Sequence, residues 1–137
     1  MGECKMKKLE IIDLHVEVIP VSINDLSSER SSEKSENIRA RVMKAREIQH
    51  KRFGESGVHC NAQMSSKQLR SICKLSEAGT NLLKTAMNKL GLSARAYDRI
   101  LKVARTIADL DASSNIETNH LAEAIQYRSL DREGWAG

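Results

Sequence analysis

The sequence predicts a mainly α-helical fold: a small bundle of about five helices, preceded by one β-strand and a flexible linker. Three observations carry that expectation. Aromatic residues are scarce, with one Trp, one Phe and two Tyr in 137 residues. The core must then come from Leu, Ile, Ala and Met, which suits packed helices better than a β-sandwich. A single Pro points the same way. Finally, apolar residues recur at helical spacing through most of the chain after residue 35.

Residues 1–8 show little pattern. In the run from Ile11 to Ile19, Ile12, Leu14, Val16 and Val18 alternate with Asp13, His15 and Glu17. Alternation of β-branched and polar residues predicts a strand with one buried face. Pro20 ends it. No later segment offers a partner strand, so it reads as part of a larger sheet, with unpaired backbone groups and high mobility when alone. Ser27, Ser28, Ser31, Ser32 and Ser35 among charged residues form a solvated linker.

The first long helix is expected from about Ser35 to Phe53, with Ile38, Val42, Ala45, Ile48 and Arg52 facing inward and Gly54 ending it. Residues 54–64 read as a loop. Ser65 or Ser66 caps a short helix through Cys73. Ser76 opens the next, where Ala78, Leu82, Leu83, Ala86, Met87 and Leu90 share a face, and Gly91 closes it. Ser93 caps a helix to about Asp111. A turn at 112–115 leads to a last helix from Thr118 to about Arg128, with Leu121, Ala124 and Ile125 inward and His120 at the surface or in a cap. The expected organisation is 1–34 strand and linker, 35–132 helical domain and 133–137 tail, in which Trp135 could dock.

A net charge of +4 permits an acidic partner without demanding one. Cys4, Cys60 and Cys73 cannot all pair within one chain. The N-terminus does not resemble a signal peptide, and no apolar run approaches a membrane span. These features lead to the expectation of a cytoplasmic protein with reduced thiols. His50, His59, Cys60 and Cys73 match no standard ligand spacing, so no metal site is expected.

The helix from Ser93 carries the clearest chemistry. Tyr97, Ile100, Leu101, Ala104, Ile107 and Ala108 fall on one side, and Arg95, Arg99, Lys102 and Thr106 on the other. Arg105 lies at the boundary, its stem over the core and its head expected in water. Arg95 sits in the first turn, where the helix dipole disfavours a cation by roughly 0.3–1 kcal/mol. An anion docked on the free N–H groups and the guanidinium would reverse that penalty. The competing reading is a solvated face with Asp98 pairing to Arg95 or Lys102. The earlier helix carries Arg39, Arg41, Lys44, Arg46, Lys51 and Arg52 against Glu36 and Glu47. Such a face could track a nucleic-acid backbone or simply be solvated, and only Phe53 is available for base stacking.

The runs Gly91 to Arg99, Val103 to Leu110 and His120 to Arg128 resemble the C-terminal region of the bacterial magnesium-chelatase-like AAA+ ATPases of the ComM/YifB competence-protein group. Ile12 to Val18 is similar to the last strand of their ATPase core, and Arg39 to Gln49 to the helix entering their lid. The resemblance spans about residues 11–132. It implies a helical lid that closes over nucleotide, with Arg95 as the sensor-2 arginine near the γ-phosphate of ATP and Arg99 as a further cofactor contact. It also implies ATP and Mg²⁺ in the full-length protein, a missing AAA+ core with neighbouring ring subunits as partners, a hexamer, and DNA as a possible substrate of the whole machine. The chain departs from the family at Leu9-Glu10-Ile11-Ile12-Asp13, where Ile11 stands in place of a candidate finger arginine. It contains no Gly-x-x-x-x-Gly-Lys-Ser/Thr loop and no visible acidic Walker-B strand. The chain alone is therefore not expected to hydrolyse ATP, to need a cofactor or to oligomerise. The alternative is a free-standing helical module that binds DNA or protein through its basic helix.

Overall fold

A computed structural model of the chain describes residues 12–27 and 32–128. In these residues the helices are α1 (Ile23–Leu26), α2 (Ser35–Phe53), α3 (Ser66–Ile72), α4 (Glu77–Leu90), α5 (Ala94–Leu110) and α6 (Thr118–Gln126). A single 3₁₀ turn, Asn61–Gln63, lies between α2 and α3. The expected mainly α bundle is present. Residues 1–11, the middle of the Ser-rich linker and the tail with Trp135 lie outside the described residues.

The helix ends follow the sequence closely. Ser65, Ser76 and Ser93 each accept a hydrogen bond from a backbone N–H in the first turn of α3, α4 and α5. Gln68 completes a capping box with Ser65. Gly91 terminates α4 in the left-handed conformation at φ +60°, which a side chain would strain. His120 does cap α6, its Nδ1 accepting from Glu117 N–H at 3.0 Å. It is buried rather than at the surface, and its Nε2 lies 3.1 Å from Asp111 Oδ2.

Helix α5 forms the centre of the bundle. It packs on α2, the 3₁₀ turn, α3 and α6, while α4 packs on α6. Ala96, Ala104 and Ala108 are fully or nearly fully buried, so neighbouring helices can approach closely. Ile100 and Leu101 join Phe53, Met64, Leu69, Leu83, Ile116 and Leu121 in the core. At about 25 cal/mol per Å² of apolar area, this burial is the main stabilising term. A parallel bridge between Leu75 and Ile116 ties the segments entering α4 and α6.

Four local expectations are corrected. Residues 12–21 form no strand, because a strand needs a neighbour to receive its hydrogen bonds and no described segment provides one. Val16, Val18 and Ile19 instead point to solvent. The four-residue α1 lies between the expected strand and the Ser-rich linker, where no helix was expected; Ser22 caps it and donates to the Asp25 carboxylate at 2.6 Å. In α2 the buried positions are Ala45, Gln49 and Phe53, whereas Ile38 and Val42 are 44% and 43% exposed. The N-terminal half of α2 extends past the bundle, so its apolar stripe meets no described neighbour. Tyr97 is likewise more exposed than its position on the wheel suggested.

Candidate functional site

The two ends of α5 treat their cations differently. Near its C-terminus, Asp109 is almost completely buried and gathers four donors. Arg52 reaches it from α2, with Nη1 donating to Oδ2 at 2.8 Å and Nη2 to Oδ1. Arg105 donates from Nε to Oδ1 at 3.2 Å, and Asn61 donates from Nδ2 to Oδ2 at 2.8 Å. Arg52 Nη1 also donates to Asn61 Oδ1, and Gln49 Oε1 accepts from Asn61 N–H. The Arg105 head does not reach water. Its side chain is 3% exposed and its remaining donors serve the carbonyls of Ser113 and Ser114 at 2.6 and 2.9 Å. Those bonds pin the turn after α5, where Ala112 has a left-handed φ of +53°. The cluster is an internal staple that fixes α2, the 3₁₀ turn and the end of α5 together.

The other end of α5 is open. Arg95, Asp98, Arg99 and Lys102 line a cleft of about 240 Å³ together with Asp13 and Ala62. Arg95 is exposed, in the first turn of the helix beside its Ser93 cap. Arg99 and Lys102 lie one and two turns further on and are partly exposed. Lys102 Nζ donates to the Ala62 carbonyl at 2.9 Å, which holds the amine at the floor of the cleft. Arg99 forms an ion pair with Asp13 of the N-terminal segment. Among the described residues lining it, three cations stand against two carboxylates, a positive excess in a volume that suits a small anion.

The basic residues of α2 do not form one continuous face. Arg52 is committed to Asp109, and Arg41 makes a two-pronged pair with Glu33, the nearer contact at 2.6 Å. Arg39, Lys44, Arg46 and Lys51 are exposed. Helical spacing sets Arg39 and Arg46 on one stripe and Lys44 and Lys51 on another, well round the axis.

Burial also decides the chemistry of the cysteines. Desolvation pushes the Cys73 thiol up to about 11 from 9.0, against the lowering influence of Arg105 and Arg52. It is a core thiol, not a nucleophile. Cys60 is partly exposed, and neither cysteine is in a disulfide. Among the described residues, no three His, Cys, Asp or Glu side chains gather as metal ligands. No described helix is long and apolar enough to cross a membrane.

The sequence placed Arg95, Arg99 and Lys102 on one stripe but singled out only the two arginines as site candidates, and it gave no sign of Asp13 as the acid beside them. Asp13 lies 86 positions from Arg99, and no periodicity links them. Asp109 was findable, since it lies one helical turn beyond Arg105.

A compact helical domain with this sequence has clear relatives. Residues 32–128 match the family model described as "Magnesium chelatase, subunit ChlI C-terminal". The chain belongs to that family. It is 44% identical over 126 residues to the competence protein ComM of Haemophilus influenzae, covering 90% of this chain and 24% of the relative. It is 46% identical over 100 residues to the YifB protein of Escherichia coli, covering 73% of this chain and 19% of that protein. YifB of Salmonella typhimurium is 36% identical over 126 residues, covering 90% and 24%. The chain thus spans about a quarter or less of the length of these relatives, and corresponds to the C-terminal domain of a magnesium-chelatase-like ComM/YifB protein.

Proposed function

We propose that this domain is the helical lid of an AAA+ ATPase and that Arg95 is its sensor-2 arginine. The observation that carries the reading is the exposed guanidinium in the first turn of α5, in a cleft where Arg99 and Lys102 add positive charge. A guanidinium there offers paired N–H donors to phosphate oxygens, close to the positive end of the helix dipole. As charge develops on a transferring phosphoryl group, such a fixed donor stabilises it. Arg99 and Lys102 would bear on the same phosphates.

The cleft fits phosphate oxygens, but the described residues provide no acidic set for Mg²⁺. The ion would be held by the nucleotide and the ATPase core. When bound there, ATP with Mg²⁺ supplies the phosphoryl group and neutralises part of its charge. This chain's role is to contribute cations from one side and to transmit closure through the rigid α5. Neighbouring subunits of a ring, with a hexamer as the expected assembly, would complete the site.

The test is hydrolysis by the complete ATPase carrying Arg95→Ala. The expected outcome is loss of turnover by up to about 10³-fold with the domain still folded. Unchanged turnover would remove the sensor role.

A second reading, DNA contact through α2, is favoured only by the exposure of Arg39, Lys44, Arg46 and Lys51. If those four residues track a phosphate backbone, duplex binding would weaken steeply with salt and charge-removing substitutions would reduce that slope. Binding indifferent to salt would exclude it.

A further inference from the structure

The cleft at the start of α5 already contains an acid. Asp13 pairs with Arg99 Nη1, the Asp13 side chain being 50% exposed and that of Arg99 28%. Two further bonds hold the same short segment against the domain. His15 N–H donates to the Tyr127 carbonyl at 2.8 Å, and Arg128 Nη1 donates to the Ile12 carbonyl. From Val16 onward the side chains face solvent. The attachment is therefore concentrated in four residues, and the Asp13 contact is the part of it that lies in the cleft.

A carboxylate on a guanidinium uses the same donors as a phosphate does. The two compete for Arg99. The carboxylate brings one negative charge, whereas a terminal phosphate brings more and can engage Arg95 and Lys102 together. The geometry points to Asp13 as an internal stand-in for a phosphate group: the terminal phosphates of a polyphosphate ligand displace it from Arg99 and loosen Ile12–His15 from the helical domain. This inference rests on the reading of Arg95 above and extends it in two ways. It adds Lys102 to the anion site, and it couples that site to the chain segment leading into the domain. The coupling is reciprocal, so whatever releases the segment also tightens binding of the anion.

The pair is half exposed and screened, so the competition is mild. Removing the carboxylate of such a pair changes affinity by up to about fivefold. The experiment titrates this chain with inorganic tripolyphosphate at low ionic strength, reading affinity from the arginine side-chain resonances and segment release from hydrogen exchange at the His15 amide. Asp13→Asn binds about two- to fivefold tighter than the natural chain. Glu17→Gln, which removes an equal charge from the same segment outside the cleft, leaves affinity unchanged. Arg99→Ala weakens binding, and in that background Asp13→Asn has no further effect. Saturating tripolyphosphate speeds exchange at His15.

Equal affinities for Asp13→Asn and the natural chain would overturn the inference, as would a His15 amide indifferent to ligand. Binding that Arg95→Ala abolishes but Asp13→Asn leaves unaltered would sink this coupling alone and spare the sensor reading. Absence of binding by either chain would overturn the coupling too, while the sensor role would still stand or fall on hydrolysis by the complete ATPase.

Discussion

The C-terminal half of α5 and its N-terminal half carry the same kind of side chain to opposite ends. Arg105 is buried beside Asp109, joined there by the part-buried Arg52 from α2, and gives up its donors to internal acceptors. Arg95, Arg99 and Lys102 line an open cleft three to ten residues before Arg105 on the same helix. What separates them is the acid each half meets. Asp109 is fixed on the helix itself and held out of water by the α2 packing. In the cleft, Arg99 meets a half-exposed carboxylate, Asp13, from a distant segment. An arginine's role here is set by the burial of its partner, not by its position on a helical wheel.

The largest expected effect comes from breaking the buried side of that comparison. Asp109→Ala leaves the buried Arg105 and the part-buried Arg52 without their carboxylate, and such losses cost about 3–5 kcal/mol. Chemical denaturation should show a domain at or near the limit of folding. A loss below about 1 kcal/mol would mean that the cluster is effectively solvated.

Next in size is the thiol beside this cluster. With its ionisation pushed up from 9.0 to about 11, Cys73 holds about 100-fold less thiolate at neutral pH than an ordinary cysteine would by that reference. In a chain with Cys4 and Cys60 replaced by Ser, alkylation should be slow until the domain unfolds. The sign of the linked stability follows. Because the folded thiol keeps its proton longer than the unfolded one, its contribution is complete below pH 9 and is lost as pH rises through about 11. Rapid alkylation of the folded chain at neutral pH would show that the cluster opens to solvent.

A smaller effect sharpens the open side. Ser93→Ala removes the side chain that accepts from Ala96 N–H at 3.3 Å. The cost should be about 1 kcal/mol, with fraying confined to the turn that carries Arg95. The smallest effect is the stability change of Arg95→Ala, within about 0.5 kcal/mol by thermal unfolding, because that side chain is exposed. A large destabilisation would move Arg95 into the structural class with Arg105.

Much of the fold was legible because local signals agreed with one another. Ser65, Ser76 and Ser93 cap where the apolar periodicity begins, and Gly91 stops α4. The segment from Ile12, expected as a strand, was not legible as the irregular stretch it is. Alternation reports a preference for a pleated, half-buried surface, but pairing needs a second strand. Ile38 and Val42 misled for a similar reason: periodicity shows that a face is apolar, not that something covers it. Arg95 and Arg99 were readable as a cationic stripe near a helix start. The acid in their cleft and the burial of Arg105 were not, since both depend on contacts made across the fold. Arg52 shows the limit most clearly, because it fits an inward stripe and a basic face equally well, and only Asp109 decides between them.

The contrast can be read in a single spectrum, by following the Nε resonances of Arg52, Arg95, Arg99 and Arg105 as tripolyphosphate is added at low salt. Arg95 and Arg99 should shift together and saturate, while Arg52 and Arg105 stay in place. Movement of the Asp109-bound pair, or stillness of the cleft pair at saturating anion, would contradict the division of α5 into a binding end and a structural end.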